Sequence, residues 1–422
     1  MDINSKVSND IDKTIDSKYT AYSYRWVVLL LFMFIGAMTQ VIWITFGGII
    51  DESAAFFGVT DNLMLLTSVV FMIAYIPVNF LASWLLDKFG LKWGAGIGVI
   101  LTGVFGMLRP VISGNYGWLM FCTIMCAIGQ PFVLNSFTKL AATWFPEKEK
   151  TLATGLGTIS LLIGVIIAFL STPFILGSGI PHYRVDLALY IFGGITLLSA
   201  ILYLIFVKDK PPTPPNTYAD KTKVLSTEGT RSLFKKRDFV ILFIILLIGG
   251  GVFNAISSVL DIVFDYPIGA EQPGLIGGIM IIGGIIGAGV MSTLSDKFRK
   301  RKIFIILALL GGVVFMPLLI FIQSDIARYI FSFFMGFLLV SALPVGLTFA
   351  AEVTHPVPEE TSNGLMMWIG QIVGVILLGG IMLTEFYNPN LMWINIAIMI
   401  AMFVIGVVLV FFMNDLDAYE KT

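Results

Sequence analysis

Along this chain the apolar positions neither alternate nor recur at the spacing of a surface helix; they run together. Twelve nearly unbroken apolar stretches, near residues 25–50, 63–86, 93–112, 118–144, 151–175, 187–207, 239–263, 274–294, 303–322, 327–351, 362–384 and 391–413, are separated by short polar breaks. A helix needs roughly 20 apolar residues to cross a bilayer core of about 30 Å, so each stretch is long enough to span one. The strands of a transmembrane barrel would alternate polar with apolar residues, and an open sheet would leave backbone amides unpaired in lipid. The pattern therefore predicts an all-α membrane protein with twelve transmembrane helices.

Composition agrees. The 422 residues are 57% apolar and 13% charged, with a mean hydropathy of +0.92, so lipid must solvate much of the surface. A net charge of −1 says little about partners, but the placement of the 26 Lys and Arg says more. If both tails lie on one side, that side holds every Lys and Arg except Arg109, Arg184 and Arg328. The positive-inside rule makes that side the cytoplasm, so a multi-pass protein of the plasma membrane with both termini cytoplasmic is expected. Residues 1–24 show no apolar segment ahead of a small-residue cleavage site, so no removable signal peptide is expected. Cys122 and Cys126, four apart on one helix, suit neither a disulfide nor a structural zinc and are read as packing residues.

The longest polar stretch between helices, 208–238, contains Pro211-Pro212-Thr213-Pro214-Pro215 and Lys235-Lys236-Arg237, and cannot enter lipid. It divides the chain into bundles over 25–207 and 239–413, flanked by tails at 1–24 and 414–422. An internal repeat supports the division. Ser83-Trp84-Leu85-Leu86-Asp87-Lys88-Phe89 recurs as Ser292-Thr293-Leu294-Ser295-Asp296-Lys297-Phe298 at an offset of 209 residues, and the same offset carries Gly155 onto Gly364. Half-chain repeats with a binding site at their interface are a signature of transporter folds.

Each copy puts an Asp and a Lys at the cytoplasmic end of a helix. The loop resembles the signature of the major facilitator superfamily, Gly-x-Leu-x-Asp-Arg/Lys-x-Gly-Arg/Lys, through Leu85, Asp87, Lys88, Gly90 and Lys92, and again through Leu294, Asp296, Lys297, Lys300 and nearby Arg301. Ser83 and Ser292 replace its opening glycine, and Arg299 the second glycine of the later copy. This resemblance implies the major facilitator fold, two pseudo-symmetric six-helix bundles, and gating roles for Asp87, Lys88, Asp296 and Lys297. It puts Asp87 near Thr361 and Ser362 at the start of the eleventh helix, and Asp296 near Thr151 at the start of the fifth. Free backbone N–H groups at a helix start stabilise a carboxylate there.

Helices that face only lipid need no amides or indoles at depth, so those present are informative. Gly36, Gln40, Trp43 and Gly47 share one face of the first helix, and Gly250, Asn254, Ser257 and Asp261 share one face of the seventh. Gln130 precedes Pro131, where a missing N–H kinks the fourth helix and frees a carbonyl. Trp368 and Gln371 lie three apart on the eleventh, followed by Gly374. Each residue also has a structural explanation: amides join membrane helices, tryptophans mark the interface, and the glycine faces at Gly283 to Gly287 and Gly370 to Gly374 suit close packing. No ionisable residue falls near the middle of a span, since Asp261, Lys139 and Glu352 lie toward helix ends. That favours a neutral or singly cationic solute held by amides and π-faces.

More narrowly, the chain resembles the feline leukaemia virus subgroup C receptor-related transporters. The likeness is carried by Trp43-Ile44-Thr45-Phe46-Gly47, Ala74-Tyr75-Ile76-Pro77, Gln130 through Leu134, Leu343-Pro344-Val345-Gly346, and Ala351-Glu352-Val353-Thr354 on to Gly364 and Gln371. Animal members transport choline and ethanolamine and have also been proposed to export haem. Their choline pocket is implied here at Trp43, Gln130 and Gln371, with Asn254 where that family has a Tyr and Trp368 where it usually has a small residue. Haem gains little support, because His182 and His355 fall in loops.

The expected function is therefore alternating-access transport, facilitative or secondary active, of a choline- or ethanolamine-like solute. The substrate-binding residues expected are Gln40, Trp43, Gln130, Asn254, Trp368 and Gln371. A carrier of a sugar, vitamin or drug, or a receptor that moves nothing, are the alternatives. The bilayer and a small-molecule solute are the expected partners of a monomer, with no nucleic acid, metal or cofactor. No nucleophile, metal cluster or paired carboxylate lies at depth, so an enzyme is not expected.

Overall fold

A computed structural model describes residues 21–177, 184–215, 233–264, 271–354, 359–388 and 391–414. Twelve spans follow in order: α1 Tyr24–Ile44, α2 61–89, α3 91–108, α4 Tyr116–Trp144, α5 Glu147–Leu176, α6 Val185–Phe206, α7 Arg237–Ser258, α8 Gln272–Phe298, α9 Arg301–Phe321, α10 Asp325–Thr354, α11 Glu359–Tyr387 and α12 Met392–Phe411. Helix α2 meets α3 at Gly90, whose φ of 77° and ψ of −174° are open essentially to glycine alone. The turn at the corresponding place in the second half puts Arg299 at φ 55°, so the backbone repeats the pseudo-symmetry where the side chain departs from it.

Apolar runs dictate spans, and small residues let the spans pack. A Cβ on Gly164 would strike the backbone of Ala37, tying α5 to α1, and one on Gly283 or Gly287 would strike the backbone of α10. Ion pairs lie within each half: Arg25 to Glu149 at 2.9 Å, Lys139 to Asp87 at 3.1 Å, and Arg301 to Glu352 at 2.7 Å and to Asp296.

Both halves carry a broken helix that the apolar runs at 25–50 and 239–263 concealed. Helix α1 stops at Ile44, and after a turn over 45–49 a short helix Ile50–Phe57 begins. Likewise α7 stops at Ser258, Val259 leaves helical geometry, and Leu260–Phe264 resumes. Breaks in these apolar stretches cost nothing in hydropathy, so a window of composition cannot reveal them.

The two halves meet on the face opposite the one where the described chain starts and ends, called here the far face and the terminal face. A Cβ on Gly47, in the α1 break, would lie 2.9 Å from the Ser257 carbonyl oxygen. Alongside, Gly274 and Gly277 of α8 lie against Phe169 and Pro173 of α5. Nearer mid-depth, Met72 of α2 abuts Gly374 of α11.

Candidate functional site

Helix register carries the polar residues to a common depth. Gly36 of α1 lies against Phe137 of α4. These helices run in opposite directions, so moving two turns along one and two turns back along the other brings Trp43 level with Gln130. Across the halves α1 and α7 run in the same sense, and the Gly47 contact with Ser257 puts Trp43 level with Phe253, beside Asn254. Gly374, one turn from Gln371, packs on both Met72 and the Asn254 Cβ. Gln130 sits midway along α4, and Gln371 near the middle of α11.

Within this layer Trp43 is 7% exposed, and Gln40 and Gln130 are 6% exposed each, so all three point into protein rather than lipid. The Trp43 indole N–H finds no acceptor among the described residues. Leaving a buried donor unmet costs about 1–3 kcal/mol, a cost that a bound molecule or water would relieve. Asn254 and Gln371 are half-buried, and the Asn254 Nδ2 donates to Gln371 Oε1 across 3.5 Å, a long contact that leaves each amide with further capacity.

Trp368 is differently placed. Its indole Nε1 donates to the Ile76 carbonyl oxygen of α2 at 2.9 Å, and its ring meets Phe80 edge-on with centroids 5.1 Å apart. Trp368 thus bridges the halves on the terminal side of the amide layer; its N–H is engaged and only ring surface remains for a ligand.

At the terminal face, Asp87 receives Lys139, which also donates to the Leu86 carbonyl at 2.6 Å. The Lys88 ammonium stands over the Trp84 ring at 4.8 Å. Asp296 is held by Arg301, while Lys297 is exposed. The side chains of Thr151, Thr361 and Ser362, the expected helix-start partners, lie outside the described residues, as do the Asp261 side chain and both histidines.

Two groups escaped the sequence argument. Tyr75, Asn79 and Ser83 recur every four residues on α2 and converge on Asn135 of α4, whose Nδ2 donates to Asn79 Oδ1 at 2.8 Å and to Ser83 Oγ at 3.1 Å. The Tyr75 hydroxyl meets Asn135 Oδ1 at 3.2 Å. Their four-residue spacing was available as a signal. Arg109, counted above as a far-side charge, is 1% exposed: its Nη1 donates to the Ile42 carbonyl at 3.2 Å and its guanidinium stacks over Phe46 at 5.1 Å. Nothing in a one-dimensional charge count distinguishes an arginine beside water from one turned inward.

Comparison with known proteins accords with this architecture. The sequence profile of the Major Facilitator Superfamily matches residues 28–376 and 265–420. An uncharacterised MFS-type transporter of Caenorhabditis elegans is 32% identical over 413 residues, covering 93% of this chain and 69% of that protein. The human choline/ethanolamine transporter FLVCR2 is 29% identical over 376 residues, covering 83% and 70%. Solute carrier family 49 member A3 of Xenopus tropicalis is 31% identical over 380 residues, covering 86% and 78%. Among solved structures, a D-xylose-proton symporter superposes with a TM-score of 0.73 at 13% identity, over 93% of this chain and 99% of that one. A bacterial homolog of the human lysosomal transporter Spinster, in an inward-facing and unoccupied conformation, gives 0.70 at 14% identity over 93% and 97%. Two helical halves with broken helices at their contact, a repeated charged loop, and relatives alike over most of their length lead to one conclusion: the chain belongs to the major facilitator superfamily of membrane transporters.

Proposed function

We propose that this transporter moves a small organic solute of the choline and ethanolamine type by alternating access, its bundles 25–207 and 239–413 rocking about the linker 208–238. Gln40, Trp43, Gln130, Asn254 and Gln371 form the wall, with Trp368 contributing a ring face. Asp87, Lys88, Asp296 and Lys297 belong to the gate on the terminal face. That face lies in the cytoplasm, by the Lys and Arg bias, and the plasma membrane is its site. The monomer is the working unit.

One observation carries the reading: Trp43 offers a buried indole with an unmet N–H at the depth of the amides Gln40, Gln130, Asn254 and Gln371. An indole face attracts an ammonium by about 0.5–2 kcal/mol, and its N–H can donate to the hydroxyl oxygen of an amino alcohol. The likeness to choline/ethanolamine transporters supports the same solute class.

The test is counterflow of radiolabelled choline in proteoliposomes, beside thermal stabilisation of the purified protein by a panel of amines, sugars and vitamins. Choline or ethanolamine should stabilise the parent and exchange, and Trp43→Ala should abolish both. Stabilisation by no amine would defeat the proposal. The Asn254 and Gln371 amide pair supports a second reading, a carrier of a polyhydroxyl solute, which sugar or vitamin counterflow would reveal. A receptor would bind without exchange.

A further inference from the structure

A buried arginine joined to a broken helix is an expensive arrangement unless it holds something in place. The last carbonyls of any helix lack their intrahelical partners, and where α1 stops at Ile44 those groups lie inside the protein. Val41 is met by the Thr45 hydroxyl at 2.6 Å, and Ile42 by Arg109 at 3.2 Å. A cation at a helix C-terminus also opposes the negative end of the helix dipole. The same guanidinium stacks over Phe46, inside the turn that follows. Arg109 therefore grips both the end of α1 and the turn that interrupts it.

The grip has two consequences by position. Trp43 lies between Ile42 and the break, so the carbonyl held by Arg109 belongs to the peptide that leads into Trp43. One residue past Phe46 comes Gly47, the point at which α1 meets the Ser257 carbonyl of the other half. We propose that Arg109 is a positioning residue: it clamps the break in α1, orienting Trp43 and holding Gly47 against Ser257 so that the far face stays closed. Arg109 touches no solute. Its effect on binding rests on Trp43 forming the site wall, whereas its effect on closure does not.

The experiment uses the full chain in nanodiscs, with spin labels on Thr60→Cys and Tyr387→Cys, two exposed positions at the far ends of opposite halves. Both native cysteines are buried, which directs labelling to the introduced pair. Distance distributions are compared among the parent and the variants Arg109→Met, Arg109→Lys and Phe46→Leu. Arg109→Met should raise the ratio of long to short distances by roughly threefold to thirtyfold, the range that a capping cation and its carbonyl bond span. Arg109→Lys should keep most of the short population, because an ammonium can still donate to Ile42. Phe46→Leu should move the distribution in the same direction as Arg109→Met, but less. An unchanged distribution in Arg109→Met overturns the proposal. If Arg109→Met does not fold, Phe46→Leu decides, and a parent-like distribution there overturns it equally.

A second arm measures choline affinity by thermal shift. Arg109→Met should weaken it several-fold while Arg109→Lys restores most of it. Choline failing to bind the parent would remove the solute reading and leave the distance result standing. Normal choline affinity in an Arg109→Met protein whose far face has opened would remove the orientation of Trp43 from the proposal.

Discussion

Replacing Trp368 with phenylalanine should release the halves on the terminal side of the amide layer. The substitution keeps an aromatic ring against Phe80 and deletes the N–H that reaches the Ile76 carbonyl at 2.9 Å. A net intramolecular hydrogen bond is worth about 0.5–1.5 kcal/mol, so the terminally open population should grow roughly threefold to tenfold. Trp368→Ala also removes the edge-on ring contact, worth a further ~0.5–1.5 kcal/mol, for a combined shift of roughly thirtyfold if the two terms add. Spin labels at Phe89→Cys and Phe298→Cys would read the change, since these exposed residues occupy equivalent places at the terminal ends of α2 and α8. The graded order parent, Trp368→Phe, Trp368→Ala is the signature. A parent-like distribution in Trp368→Ala would refute the idea that this indole braces the halves, and equal shifts in the two variants would refute the ring contribution.

Removing charge at the loop proposed to gate the terminal face should act in opposite directions depending on which partner is lost. Asp87→Asn should favour the terminally open state by about 0.3–1 kcal/mol, the scale of a carboxylate at a helix start. Lys139→Gln frees Asp87 from its pair at 3.1 Å and should favour closure; labelling rates of single cysteines on the terminal face give both signs, and the same sign in both would refute the exchange of partners. Gly90→Ala should lower the thermal stability of the purified protein by about 1–3 kcal/mol, because φ 77° with ψ −174° excludes a side chain. Its new Cβ would also collide with the Asp209 carboxylate, which accepts from the Lys92 N–H at 3.0 Å. Stability equal to the parent would show that this turn relaxes freely.

Hydropathy, charge bias and a half-chain repeat were enough to give twelve spans, two related halves and a charged loop at equivalent places, because lipid imposes its demands on consecutive residues. The spacing on α1 and α7 also singled out Gly47 and Ser257, where the halves approach. How other polar residues are engaged depends on partners distant in the chain. Trp368 reads as one more aromatic wall until Ile76, 292 residues away, takes its N–H. Arg109 reads as an outer charge until the carbonyl of Ile42 draws it inward. The break in α1 is held in part by Arg109, 67 residues away in the chain, and no local window contains that partner. Sequence fixes which segments must leave water; packing between segments decides where a helix can stop and which polar group keeps a free bond.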